Sequence, residues 1–314
     1  MKKITSFPLI ILIVWPLVVA STLFAWQISK KLVEKETTRL FNQQVDAVEY
    51  WINNRLELYK TVGFSLAAFV SHKENLTEEE WQTFTEALQI FQRFPGITAL
   101  SFTKKEKEGF KIALVYPQEF KNLVGIEVTT LPGRKEIILN AIETGKQTIT
   151  KKILLLTDNK PGFLIYFPVY KIGLPTTTPE ERETAALGVI TLAFRSEEVF
   201  KDLFDAQDTF PYLDFELYKG KNLEEDYILY DHDYSVYIPK GERQKRLEAK
   251  RTIIFNGESL TLLAVSKPSF GLKTLEKQQP NIVLAGGLLL SLWFLKFSYW
   301  EFKKLSRRSE RSDT

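Results

Sequence analysis

The 314-residue chain contains no cysteine. That excludes disulfides, a thiol nucleophile and any cysteine-based zinc site. It has only two histidines, His72 and His232, which leaves little room for histidine-dependent acid–base or metal chemistry. No Gly-rich phosphate loop, no G-x-S-x-G nucleophile elbow, no internal repeat and no low-complexity tract occurs. Charge of one sign is scarce as well: 42 Lys+Arg stand against 39 Asp+Glu, a net of +3. With 44% hydrophobic and 26% charged residues, the composition belongs to a folded chain able to bury a core.

What is present in excess is apolar sequence near the two ends. Residues 7–28, FPLIILIVWPLVVASTLFAWQI, carry no charge. About 20 apolar residues suffice to cross a bilayer. A signal peptide is the alternative, but its apolar region is shorter, and Phe24-Ala25-Trp26 makes a poor cleavage site. Pro16 lies inside the run and is a candidate kink. The second run, from Ile282 to Trp300, is broken only by Lys296 and carries Trp293, Tyr299 and Trp300 at one end, as an interfacial belt does. A buried core helix is its alternative. Lys303, Lys304, Arg307, Arg308 and Arg311 follow it, and Lys2 and Lys3 precede the first run. Basic clusters flanking spans mark the cytoplasmic side. The expectation is a cell-membrane protein with both termini cytoplasmic and residues 29–280 outside. That outer portion holds 34 basic and 36 acidic residues, a balance that gives no reason to expect a nucleic-acid partner.

Within it, Phe41, Val45, Val48, Ile52, Leu56, Tyr59, Val62, Leu66 and Phe69 recur at helical spacing, predicting one long helix over 32–70. The stripe packs along its own domain or, near the membrane, pairs with a second copy as a homodimer. Thr77-Glu78-Glu79-Glu80 reads as a capping box opening a second helix, ended by Pro95-Gly96. Strands are expected over 97–103, 110–116, 148–156, 163–171, 187–195, 213–218, 227–231, 251–256 and 259–266. A helix is expected over 135–144 and another from 196 to about 207. Asn256-Gly257 is a hairpin signal. The stretches 173–183 and 239–245 show the least structure. The fold class is therefore α+β: two transmembrane helices flanking a long helix and two antiparallel-sheet units.

The stretch 138–200 resembles a CHASE domain, an extracellular sensory module held between two membrane helices. It contains IETGK (142–146), GFLIYFPVYK (162–171), Leu174-Pro175, EER (180–182) and LGVITLAF (187–194) in the order and close to the spacing of that family. Upstream, PGITAL (95–100) resembles the family's helix-to-strand junction, and 125–134 resembles its G-x-D-x-x-S-x-x-x-R signature, with Glu127 for Asp and Thr130 for Ser. The resemblance implies that both sheets are PAS-like and that the membrane-distal one holds a small extracellular ligand. It gives a division into a cytoplasmic N-terminus (1–6), first span (7–28), stalk and N-terminal helices (29–94), distal core (95–210), proximal sheet (211–279), second span (280–300) and cytoplasmic tail (301–314).

The resemblance also aligns the family's three cytokinin-orienting positions, an aspartate, a leucine backbone group and a threonine, with Arg134, Leu156 and Tyr166. A guanidinium only donates, so it cannot replace a carboxylate that accepts from a neutral purine, and cytokinin is not the expected ligand. Arg134 suits a carboxylate or phosphate instead; the alternative is a surface arginine paired with Glu136 or Glu127. Leu164 shares the face of Tyr166 by strand alternation. Val189 and Thr191, with Leu192 nearby, lie on the neighbouring strand, and Glu127 and Thr150 complete the candidate ligand-binding set. For Glu127 a structural bond within the sheet is the competing reading, and for the apolar residues ordinary core. Asp231-His232-Asp233 is a poor metal site, because three adjacent strand residues cannot face one ion. Asn75-Leu76-Thr77 fits a glycosylation sequon but doubles as the cap. No cofactor or catalytic residue is expected.

The expected function is a membrane-anchored sensor, not an enzyme. Only 14 residues follow Trp300, so the expectation is an output on another polypeptide, such as a separate cytoplasmic kinase or cyclase, or else a decoy or binding subunit, or the sensory remnant of a longer ancestor. The alternative is an anchored scaffold that binds a protein partner. A ligand-sized cavity beside Arg134 and Leu156 favours the sensor; a collapsed sheet with an exposed apolar patch favours the scaffold.

Overall fold

A computed structural model of the chain describes residues 6–310 apart from 74, 95, 205–209 and 233–245. Lys2, Lys3, Pro95, Gln207, Asp233, Arg311 and the stretch 239–245 lie outside the described residues. The chain divides into two compact units, Met1–Gln43 with Phe270–Thr314, and Gln44–Ser269. The first helix, α1 (Ser6–Ser71), is uninterrupted and has Pro16 inside it; the expected span and stalk helix are one element.

In the unit Gln44–Ser269, α2 (Glu78–Ala87) starts at Thr77, whose side chain accepts from Glu80 N while Glu80 returns to Thr77 N. The sequon threonine is thus spent on the cap. A left-handed Gln89 separates α2 from the short α3 (Ile90–Arg93). There follow β1 (Ile97–Lys105), β2 (Phe110–Tyr116), α4 (Arg134–Thr144), β3 (Thr148–Ile149), β4 (Ile153–Leu154), β5 (Pro161–Tyr170), α5 (Pro179–Ala185), β6 (Ala186–Arg195) and α6 (Lys201–Phe204). The strands form one antiparallel sheet in the order β2-β1-β6-β5-β3, with β4 also on β5. A second antiparallel sheet has the order β8-β7-β10-β9, from β7 (Leu213–Lys219), β8 (Ile228–Asp231), β9 (Glu248–Phe255) and β10 (Glu258–Ser266). Asn256 and Gly257, both at positive φ, make the expected tight turn between β9 and β10.

Three expectations need correction. The strand predicted over 148–156 is two short pieces. Thr150 still pairs with Leu164, but Ile153 is opposite Gly162, so three residues on one side face two on the other and the extra one bulges out. The stretch 173–183 is not bare loop: Thr178 caps α5 through a capping box with Glu181, and Pro179 opens the helix. The helix expected from 196 starts only at Lys201. The apolar stripe of α1 packs along its own domain, as one of its two expectations has it. Val45, Val48, Ile52 and Tyr59 are fully buried and Leu56 and Leu66 nearly so.

That stripe covers one face of the first sheet. Tyr59 donates to Val199 O at 2.7 Å and its ring meets Phe194 at 4.7 Å. Phe64 stands edge-on to Phe167, and Gly63 makes room for the Phe167 ring. Arg55, 8% exposed, grips Asp202 with two bonds of 3.1 and 2.7 Å, a bidentate pairing that fixes α6 to the helix. The opposite face of the sheet is covered by α4 and the segments around it. Ile138, Ala141 and Ile142 of α4 pack with Leu164, Tyr166, Val189 and Ala193. The end of α4 is held by Gly145 in the left-handed region, and its last carbonyls accept from Tyr170 (Ile142 O, 2.6 Å) and Arg182 (Glu143 O, 2.7 Å). Beyond it, the buried Gln147 donates to Phe255 O at 2.9 Å and accepts from Asn256 at 2.6 Å, and Lys219 donates to Ile149 O. These bonds join the two sheets of this unit.

The last helix, α7 (Thr274–Glu310), belongs to the other unit with the first part of α1. Both helices are long and apolar enough to cross a membrane, and only 6% and 11% of their apolar windows are buried. That exposure does not suit a core helix. Inside this unit Gly287 abuts the Thr22 side chain, the close approach that a small residue permits between helices, and Phe41 meets Phe270 edge-on at 5.7 Å.

Candidate functional site

A cavity opens between the first sheet and the cover formed by α4 and the segments 123–128 and 155–157, with about 520 Å3 of free space including its mouth. Strand alternation decides its floor. Ala99, Ser101 and Thr103 of β1, Leu164 and Tyr166 of β5, and Thr191 and Ala193 of β6 all face it. The register aligns them: Tyr166 is opposite Thr191, and Thr191 opposite Ser101. The residues between, Phe163, Ile165, Phe167, Ile190, Leu192 and Phe194, are at most 2% exposed, and their aromatic members meet each other or α1. Leu192 is therefore not a cavity residue.

Arg134 is the first residue of α4, set there by Gly133 at positive φ. It begins the stripe that continues through Ile138, Ala141 and Ile142, which turns it inward. It is 6% exposed and donates to the Tyr166 hydroxyl at 3.1 Å. Among the described residues no carboxylate lies within ion-pair distance of it. The alternative of a surface arginine paired with Glu136 or Glu127 is thus corrected. Burial raises the Tyr166 phenol above its ordinary value, against the opposing pull of Arg134. At neutral pH the phenol is uncharged, so Tyr166 does not neutralise the guanidinium.

Five of the eight candidate residues line the cavity: Arg134, Leu156, Tyr166, Leu164 and Thr191. Leu156 is 40% exposed and sits at the rim. Thr191 is 7% exposed, and its hydroxyl has no hydrogen-bond partner among the described residues. Three others have different places. Val189 is fully buried in the core beside Ile138 and Tyr166. Thr150 accepts from Leu164 N at 2.9 Å and so extends the sheet edge. Glu127 accepts from Phe110 N at 2.8 Å and from Thr129. The Thr129 hydroxyl is the main cause holding its carboxyl below the usual range. Ser101, Thr103 and Thr157 line the cavity without having been singled out from sequence; alternation along β1 was the available signal for the first two. His232 stacks on Phe215 at 4.4 Å.

With a buried cation over an apolar floor on this face of the sheet, the comparison with known proteins can be made. Residues 101–230 match the CHASE domain. The chain is also similar to two plant proteins of Oryza sativa subsp. japonica. "Probable histidine kinase 5" is 29% identical over 122 residues, 38% of this chain and 10% of that protein. "Probable histidine kinase 4" is 29% identical over 128 residues, 40% of this chain and 13% of that protein. The matches therefore span about an eighth or less of those relatives. In three dimensions the chain is similar to the ligand-binding domain of the Pseudomonas aeruginosa PAO1 amino-acid chemoreceptor PctC in complex with GABA. That match has 12% identity and a TM-score of 0.49, covering 74% of this chain and 100% of that one. It is also similar to the sensory domain of the Campylobacter jejuni chemoreceptor Tlp3 with isoleucine bound, at 11% identity and a TM-score of 0.48, covering 77% and 96%.

Proposed function

We propose that the protein is a membrane-anchored sensory protein whose CHASE region binds a small anion in the Arg134 cavity. In this reading the two sheets of Gln44–Ser269 are PAS-like, that unit lies outside the cytoplasm, and α1 and α7 are the anchors. A bound ligand shifts the cover of the first sheet, and the change passes through the Gln147–Asn256 bonds to the second sheet and on to a separate cytoplasmic kinase or cyclase. The role is binding and relay, not catalysis.

One observation carries the reading: a guanidinium buried to 6% exposure, facing a cavity, with a neutral phenol as its described partner. A buried charge without a counter-ion is costly, and a ligand anion supplies the missing one. An apolar cavity with a few converging polar groups is also the usual form of a small-molecule site. The test is a thermal shift on the full chain in detergent with acetate, lactate, sulfate and inorganic phosphate. At least one anion at a hundred times its Kd raises Tm by several degrees, given roughly 2–4 °C per kcal/mol for a domain of this size. Arg134→Ala removes that shift while the ligand-free Tm stays within about 3 °C. An equal shift in the variant, or none in either protein, overturns the reading.

A further inference from the structure

The polar inventory of the cavity is one-sided. Its described lining holds one cation (Arg134), one phenol (Tyr166) and four hydroxyls (Ser101, Thr103, Thr157 and Thr191), and no acidic side chain. The carboxylates next to the lining in sequence already hold donors. Glu127 is bound by Phe110 N and Thr129. Asp158 is bound by Arg195 at 2.6 Å, by Lys160 N at 3.1 Å and by the lining Thr157 hydroxyl at 3.4 Å. An ammonium group entering here would find a guanidinium beside it and no anion to pair with. Both facts disfavour a buried cation.

The hydroxyls point to what accompanies the anion. Thr191 Oγ1 is buried and has no hydrogen-bond partner among the described residues. It lies on the strand next to Tyr166, directly across the β5–β6 ladder, and so on the same face as the phenol to which Arg134 donates. A buried hydroxyl normally finds a partner. A ligand whose carboxylate meets Arg134 and whose adjacent hydroxyl meets Thr191 would answer both groups. The remaining wall, Ala99, Leu155, Leu164 and Ala193 among it, suits a short aliphatic remainder.

Size sets the scale. About 50 Å3 of the cavity is open to the centre of a water molecule. On that measure one water needs about 10–15 Å3, so the enclosed part has room for only a few water-sized groups.

We propose that the cavity takes a short hydroxy-monocarboxylate of the size and chemistry of lactate and rejects the corresponding α-amino acid. This rests on the reading above that Arg134 holds an anion. Specificity follows from what is left unpaired: the amino acid would bury an ammonium against Arg134, and the deoxy acid would leave Thr191 without a partner.

Lactate, propionate and alanine have the same carbon skeleton and differ at one substituent. Isothermal titration of the full chain in detergent with these three and with inorganic phosphate is the test. Lactate is expected to bind at least tenfold tighter than propionate, and alanine not measurably. Thr191→Val is expected to bring lactate to the level of propionate, and Thr191→Ser to restore the difference. Alanine binding as tightly as lactate overturns the proposal. So does equal binding of lactate and propionate by the native chain, or an undiminished preference for lactate in Thr191→Val. Binding of phosphate alone, lost in Arg134→Ala, overturns the hydroxy-acid assignment and leaves the anion reading standing. Binding of none of the four overturns both.

Discussion

Arg134 and Asp158 are charged residues near the same cavity with opposite circumstances. Arg134 is buried without a carboxylate. Asp158, next to the cavity-lining Thr157, has two strong donors. Burial pushes the Asp158 carboxyl up, but the Lys160 N–H and the Arg195 guanidinium outweigh it and hold the group below its ordinary 3.8. A carboxyl depressed by folding adds stability that is complete above its unfolded value and is lost as pH falls through the folded one. Thermal melts from pH 5 downward are therefore expected to fall more steeply for the native chain than for Asp158→Asn, with the difference developing below about pH 4. Parallel acid limbs would show that the pairing contributes nothing to stability. Arg134 itself illustrates what a sequence offers and what is easily overlooked. Its place four, seven and eight positions before Ile138, Ala141 and Ile142 puts it on the inward side of α4. A charge at the end of an apolar stripe nevertheless suggests a surface residue, because no neighbouring carboxylate and no cavity can be read from one helix.

At the level of elements, most boundaries were legible because local chemistry agreed with tertiary packing. The capping box at Thr77, the Asn256-Gly257 turn and the glycine stop at Gly145 all appear where spacing places them. Two elements were not legible. The break between β3 and β4 comes from register against β5, which involves residues 7 to 18 positions away. The helix α5 was hidden by a run of Thr and Pro, although Thr178-Pro179-Glu180-Glu181 carries the same cap as Thr77. The face of α1 shows a further limit. Its periodicity announces an apolar stripe but not what covers it, and the cover is the first sheet. Gly63 tests that contact. Ala in place of Gly in an exposed helix interior stabilises by about 1 kcal/mol. Here a Cβ would run into the Phe167 ring, which is fully buried. Gly63→Ala is expected to destabilise by about 1–3 kcal/mol in chemical denaturation; a gain in stability would mean that the helix does not rest on that ring.

For the whole molecule, the absence of cysteine becomes an experimental advantage, since a single introduced thiol reports without background. Glu108 lies in the loop between β1 and β2, and Lys303 near the end of α7; both are exposed. If the cavity unit faces outward and the basic end inward, Glu108→Cys reacts with a membrane-impermeant maleimide on intact cells. Lys303→Cys then reacts only after permeabilisation. The reverse pattern, or labelling of neither until the cells are opened, would overturn the proposed orientation.

The first sheet is a single layer with the cavity on one face and α1 on the other. Along β6, Thr191 borders the void while its chain neighbours Ile190 and Leu192 turn to the helix side; Tyr166, between Ile165 and Phe167, repeats the arrangement on β5. Cavity-facing and helix-facing side chains thus alternate at every peptide bond, and there is no slack layer in which a displacement could be absorbed. Whatever pushes on one surface of this partition is felt immediately by the long helix leaning on the other.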